Sequence, residues 1–137
     1  MVMKRIVCAF AIFAAAAAAS GPAFAADPAA GEKVFAKCKA CHQLAAGKHG
    51  VGPSLQGFLG RKAGTVEKFN FSPDMKAAGE KGLVWSDEAF LAYIEKPQEY
   101  VGQIIGKPKA STRMVFVGLP KKEERDDLLA YLKGAAK

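Results

Sequence analysis

Cys38, Cys41 and His42 stand in the run Cys38-Lys39-Ala40-Cys41-His42, a spacing that sets two thiols three residues apart with an imidazole beside the second. On a helical turn, residues i and i+3 share a face, so the two thiols can reach the two vinyl groups along one edge of a porphyrin. The next residue then offers its imidazole to the iron. This is the C-x-x-C-H pattern of covalent haem attachment, and the expected cofactor is one haem c, bound through Cys38 and Cys41. A thioredoxin-like redox pair would sit after a strand in a βαβ setting, which the surrounding residues do not provide. Zinc would need ligands drawn from Cys38, Cys41, His42 and His49, crowded together without a second C-x-x-C or an H-x(3–5)-H pair.

His42 can fill one axial position, and the opposite face needs a ligand from distant sequence: Met114, Met75, His49 or none. Met114 is preferred, because the apolar island Arg113-Met114-Val115-Phe116-Val117 lies between loop-like segments and can bring a thioether into a dry setting. Met75 falls in a short helix beside Lys76 and near Glu80, where partial packing is the ordinary expectation. His49 follows His42 too closely to pass easily around the ring edge. A vacant sixth position would suggest gas binding or peroxidase chemistry, and nothing in the residues demands it. The expected iron ligands are His42 and Met114.

These groups need elements to hold them. Asp27-Pro28 reads as an N-cap followed by proline at the first helical position, opening a helix that carries Val34, Phe35 and Cys38 on one side. Between Gln43 and Phe71 the glycines at 47, 50, 52, 57, 60 and 64, with Pro53, interrupt every periodic run. Unstructured connections beyond about 12–15 residues are uncommon in compact domains, so this segment requires a rigid object to pack on, and a porphyrin would supply it. Ser72-Pro73 starts a short helix through Ala78, with Gly79 placed to stop it. Ser86 caps a helix with Asp87 and Glu88 in its first turn and Phe90, Tyr93 and Ile94 at core spacing, ended by Pro97. A half-turn at residues 98–101 is the most that follows, and residues 102–112 read as loop. Pro120 opens a final helix whose stripe is Leu128, Leu129, Tyr131 and Leu132, ended by Gly134. The fold class is therefore all-α.

The first 25 residues are a separate object. Lys4 and Arg5 precede the apolar run 6–19, Gly21-Pro22 breaks it, and Ala23-Phe24-Ala25 is an A-x-A cleavage signal. The run is short for a membrane span, which needs about 20 residues, so residues 1–25 are predicted to be a signal peptide and 26–137 one domain, exported to the periplasm without a stable membrane anchor. Cleavage discards Cys8 and leaves no material for a disulfide framework. It also leaves 18 of the 20 Lys and Arg against 13 Asp and Glu, a formal charge of +5. No base-reading motif accompanies that charge, so nucleic acid is not an expected partner. An acidic protein surface is, with salt-sensitive association.

From Gly31 to Leu132 the chain resembles the class I, mitochondrial-type cytochrome c family, particularly its soluble bacterial members. The resemblance rests on Gly31 and Phe35, Cys38 to His42, Gly52-Pro53-Ser54-Leu55, Gly60-Arg61-Lys62, Trp85, Tyr93, Tyr100, Arg113 to Phe116, and Arg125 to Leu132. It implies a single-domain fold wrapped around the haem, with first and last helices crossing where Gly31 faces Leu128 and Tyr131. It also implies that the Pro53 carbonyl accepts the Nδ1 proton of His42, that Tyr93 donates to the Met114 sulfur, that Trp85 and Arg61 lie near a buried propionate, and that His49 bridges loops. Phe71 departs from a tyrosine common in the family, leaving Asn70 or Ser72 to serve the propionate instead. The stretch from Tyr100 to Met114 is longer than in mitochondrial members and contains Lys107 and Lys109.

The function so implied is a monomeric, periplasmic, single-haem electron carrier, not an enzyme. It would pass electrons from a membrane reductase or dehydrogenase to an oxidase, a reductase or a photosynthetic centre. Lys37, Lys39, Lys48, Lys96, Lys107, Lys109, Lys121 and Lys122 are candidates for a basic docking rim. The alternatives are a dedicated electron-accepting subunit of one dehydrogenase, and a haem gas sensor or peroxidase.

Overall fold

The computed structural model describes residues 25–137, so the expected leader, apart from its last residue, and Cys8 lie outside the described residues. Three of the helices open where side-chain oxygens satisfy first-turn amides. Asp27 accepts from the Ala29 N–H at 2.8 Å and starts α1 (Pro28–Phe35). Ser72 accepts from Met75 at 3.2 Å and starts α2 (Pro73–Glu80). Ser86 accepts from Ala89 at 3.1 Å and starts α3 (Asp87–Glu95). Then come α4 (Pro97–Ile105) and α5 (Lys122–Ala135), neither with a side-chain cap. Among the described residues the β-structure is one isolated antiparallel bridge, Lys62 with Val84, and no helix is long and apolar enough to cross a membrane.

Helix α1 crosses α5, with Val34 and Phe35 packed in one core with Leu128, Leu129 and Leu132. The crossing is close because Gly31 has no side chain: a Cβ there would overlap the Asp127 carbonyl and lie 2.8 Å from Tyr131 Cβ. The expected partner Leu128 is buried in the same core, but the backbone of its neighbour Asp127 sets the limit. The Asp27 N–H also donates to Asp127 Oδ1 at 2.7 Å. A second core joins Ala63, Met75 and Ala78 to Tyr93, Val101 and Ala110, and Trp85 and Met114 pack against both cores.

Several boundaries differ from the sequence-based expectation, those of α2 and α4 for packing reasons. Gly79 does not stop α2. It lies within the helix, where a Cβ would overlap the Ala63 carbonyl, so it admits the glycine-rich loop. Residues 97–105 form a full helix rather than a half-turn. Gly102 is its interior point of close approach, 2.7 Å from a Cβ position to the Lys107 oxygen, and the left-handed Gly106 (φ 77°) ends it. Helix α5 starts at Lys122 rather than Pro120 and runs through Gly134. The Gln43–Phe71 segment is tied down by its own amides: Leu55 N–H to the Gln43 carbonyl at 2.9 Å, Gly57 to Ala136 at 2.6 Å and Gly60 to Trp85 at 2.8 Å.

Gly31 and Gly134 make a paired test. Gly31→Val drives a side chain into backbone that cannot move aside, and should cost about 3 kcal/mol in urea unfolding. Gly134 faces open space within α5, so Gly134→Ala should raise stability by up to about 1 kcal/mol. Equal effects at the two positions would reject the close-crossing account.

Candidate functional site

The two cores flank a cavity whose wall includes Phe35, Cys38, Cys41, His42, Pro53, Arg61, Trp85, Tyr93 and Met114. Every sequence-predicted site residue is thus on one surface. Beyond Phe35 the helix gives way to turns, with the Cys41 N–H bonded to the Cys38 carbonyl at 3.0 Å and His42 N–H to the same carbonyl at 2.9 Å. These keep the cysteines one turn apart, as helical spacing requires, although the motif itself is not in an α-helix. Cys38 is half-buried and Cys41 exposed. Burial pushes the Cys38 thiol up, against a smaller lowering by Lys37.

His42 is held on two sides. Its Nδ1 lies 2.8 Å from the Pro53 carbonyl oxygen, which can only accept, so Nδ1 carries the proton and Nε2 keeps its lone pair. Gly52 backs the ring: a Cβ there would sit 2.8 Å from both Nδ1 and Nε2. Burial lowers the His42 pKa, and the bond to Pro53 offsets this only in part. The ring is a neutral, oriented imidazole with Nε2 available to a metal.

The thioether is equally oriented. Tyr93 O–H donates to Met114 Sδ at 3.2 Å, and the Tyr93 phenol, 8% exposed, is pushed above its usual pKa by burial. It remains a donor at any physiological pH. The Met114 carbonyl accepts from Thr112 Oγ1 at 3.2 Å. Trp85 meets Tyr93 edge-on at 4.9 Å, which holds the phenol against rotation. Arg61 reaches across the loop to the carbonyls of Ser54 and Gln56 at 3.2 and 3.1 Å. Burial lowers its pKa from the usual range, yet arginine stays charged in proteins, so the wall carries a fixed cation that suits a carboxylate.

His49 has the bridging role the resemblance implies: Nδ1 accepts from the Ser54 N–H at 3.0 Å and Nε2 faces the Glu67 carbonyl at 2.9 Å. Phe71 lines the cavity and stacks edge-on with Phe69 at 4.8 Å. Ser72, named as a substitute propionate donor, uses its oxygen to cap α2. Met75 is more deeply placed than expected, 7% exposed and on the cavity wall. The signal was present in its i,i+3 spacing from Ala78, which is also buried. Lys62 and Arg113 line the cavity beside Lys37 and were not among the predicted rim lysines.

The donor set fits an iron porphyrin: two thiols at helical spacing, one imidazole with a free Nε2, one oriented thioether, apolar walls and a half-buried cation. The family model for cytochrome c matches residues 28–136. Cytochrome c2 iso-2 of Rhodospirillum centenum is 45% identical over 114 residues, covering 78% of this chain and 93% of that protein. Cytochrome c-550 of Ancylobacter novellus is 45% identical over 107 residues, covering 77% and 92%. The solved structure of cytochrome c2 from Rhodospirillum centenum superposes with a TM-score of 0.74 at 43% identity, covering 81% of this chain and 99% of that one. With the motif, the cavity and the all-α fold in agreement, the chain belongs to the cytochrome c family, and Cys38 and Cys41 hold its one covalent haem c.

Proposed function

We propose that this protein is an exported electron carrier whose haem is ligated by His42 and Met114. The bound haem supplies a one-electron ferrous/ferric couple, and thioether ligation with burial favours the ferrous state. The observation that carries the reading is the Tyr93 hydrogen bond to Met114 Sδ. It fixes one sulfur lone pair and leaves the other free, as a ligand held in both oxidation states requires. Pro53 does the same for His42 by fixing its tautomer. Arg61 and Trp85 serve a propionate. Both ligand side chains are oriented by the protein itself, so little must rearrange when an electron moves.

The start of the fold is compatible with export. Asp27 bonds to Asp127 and α1 begins at Pro28, so cleavage after Ala25 would leave a chain that enters its fold within three residues. The mature protein would be a monomer of residues 26–137 in the periplasm. Its partners would be acidic redox-protein surfaces: a membrane reductase or dehydrogenase as donor, and an oxidase, reductase or photosynthetic centre as acceptor. The rim narrows relative to the sequence expectation. Lys37, Lys107, Lys109, Lys121 and Lys122 stand in ion pairs with acids of this chain. Lys62 and Arg113, which line the cavity, are better placed to meet a partner.

Met114→Ala should abolish the weak long-wavelength band of sulfur-ligated ferric iron; a retained band would reject the axial assignment. Reduction of an acidic partner should slow about tenfold or more from low to physiological salt, and Lys62→Glu should slow it at low salt and flatten that dependence. A rate indifferent to salt would reject an electrostatic docking face.

A further inference from the structure

The segment that carries Met114 is tied to the rest of the fold at two places, and one of them uses a buried carboxylate that the haem chemistry does not explain. After Met114 the chain is pinned by ordinary packing. The Leu119 N–H bonds to the Ile94 carbonyl at 2.8 Å, Gly118 lies so close to the Glu95 carbonyl that a Cβ would overlap it, and Arg125 holds the Leu119 and Pro120 carbonyls at 2.7 and 2.8 Å. Before Met114 the chain leaves α4 at Gly106 and returns through residues 107–112. There Asp74, in the first turn of α2 and only 9% exposed, takes both ends of the loop. Its Oδ1 accepts from Lys107 Nζ at 2.7 Å and its Oδ2 from the Ser111 N–H at 2.7 Å. Ala110, 4% exposed, is bonded through its N–H to the Gln98 carbonyl at 2.9 Å, which folds the loop back on α4 between those two points.

We infer that Asp74 is a positioning residue for the iron ligand: one carboxylate closes the loop and fixes the chain three residues before Met114. This inference rests on the Met114 ligation proposed above. Three features support a latch rather than a surface ion pair. The carboxylate is buried while Lys107 is half-exposed, with side-chain exposures of 13% and 54%. Both oxygens are used, one by a charged donor and one by a backbone amide, and charge-assisted bonds of this kind are the strong ones. The neighbour of Asp74 on α2, Met75, lines the same cavity as Met114, so a shift at this contact is transmitted to the cavity wall on both sides of the loop. Lys107 is then a structural partner rather than a member of a docking rim. A ligand loop without the latch would let Met114 leave the iron more often, and external ligands would compete better for its place, because apparent affinity scales with the fraction of protein in the competent state.

The test uses the full haem-loaded ferric protein, titrated with imidazole and followed by loss of the long-wavelength sulfur band. Asp74→Ala removes both bonds and should bind imidazole about tenfold or more tightly. Asp74→Asn keeps an acceptor for Ser111, loses the charge, and should fall between it and the wild type. Lys107→Met, a change at an exposed side chain, should act in the same direction by about threefold, and its effect should vanish when Asp74 is already Ala. Gly31→Ala destabilises the distant α1–α5 crossing and should leave imidazole affinity unchanged, separating loop release from general loss of stability. Imidazole affinity within twofold of wild type in Asp74→Ala overturns the latch. If that variant does not accumulate as haem protein, the same outcome in Lys107→Met overturns it. Failure of the ligation reading is distinct: it is a sulfur band that survives Met114→Ala, whatever Asp74 does.

Discussion

Short helices cannot each bury a broad face against another helix, and in this chain they converge on a shared cavity instead. Four of the five described helices are eight or nine residues long, lengths at which isolated helices are marginal in water. Their apolar residues fall into two clusters, joined by Trp85 and Met114 at the cavity wall. The covalent haem c would therefore serve as a structural element as well as a redox group, supplying an apolar surface on which both clusters could close. The most extensive direct helix-to-helix packing is the α1–α5 crossing, where Gly31 lets two backbones meet.

Around this cavity the polar groups work by fixing orientation. The Pro53 carbonyl and Gly52 hold His42, Tyr93 holds Met114, and Trp85 holds Tyr93. Each support comes from a segment remote from the residue it supports, so ligand geometry follows from the fold rather than from local chain preference. An iron bound as proposed would benefit from this arrangement, because side chains held by the protein in either oxidation state would have little to reorganise.

The charges divide along the same lines. Surface ion pairs such as Lys122 with Asp126 contribute little to stability, and they partly neutralise the lysines that a partner would meet. Arg61, Asp74 and Arg125 point inward, and each bonds to loop backbone. Beside their own backbone bonds, Arg61 and His49 hold the glycine-rich loop and Asp74 holds the loop before Met114, neither of which has regular structure of its own.

The amino-acid sequence alone determined the covalent chemistry, the imidazole of His42 beside the second thiol, and the helix starts at Asp27, Ser72 and Ser86, because each depends on residues a few positions apart. It also marked Met114, through the apolar island 113–117, and Tyr93, Trp85 and Arg61, through motif order rather than through any local pattern. Tertiary structure decided the rest. Helix α4 was hidden because Gly102 resembles a breaker and is a point of close approach; Gly79 misled for the same reason. The burial of Met75, the capture of Lys107 and Ser111 by Asp74, and the placement of Lys62 and Arg113 at the cavity depend on segments far apart in sequence. Such contacts carry no periodic or spacing signal, since their energy arises only when packing removes water from groups that the chain itself keeps apart.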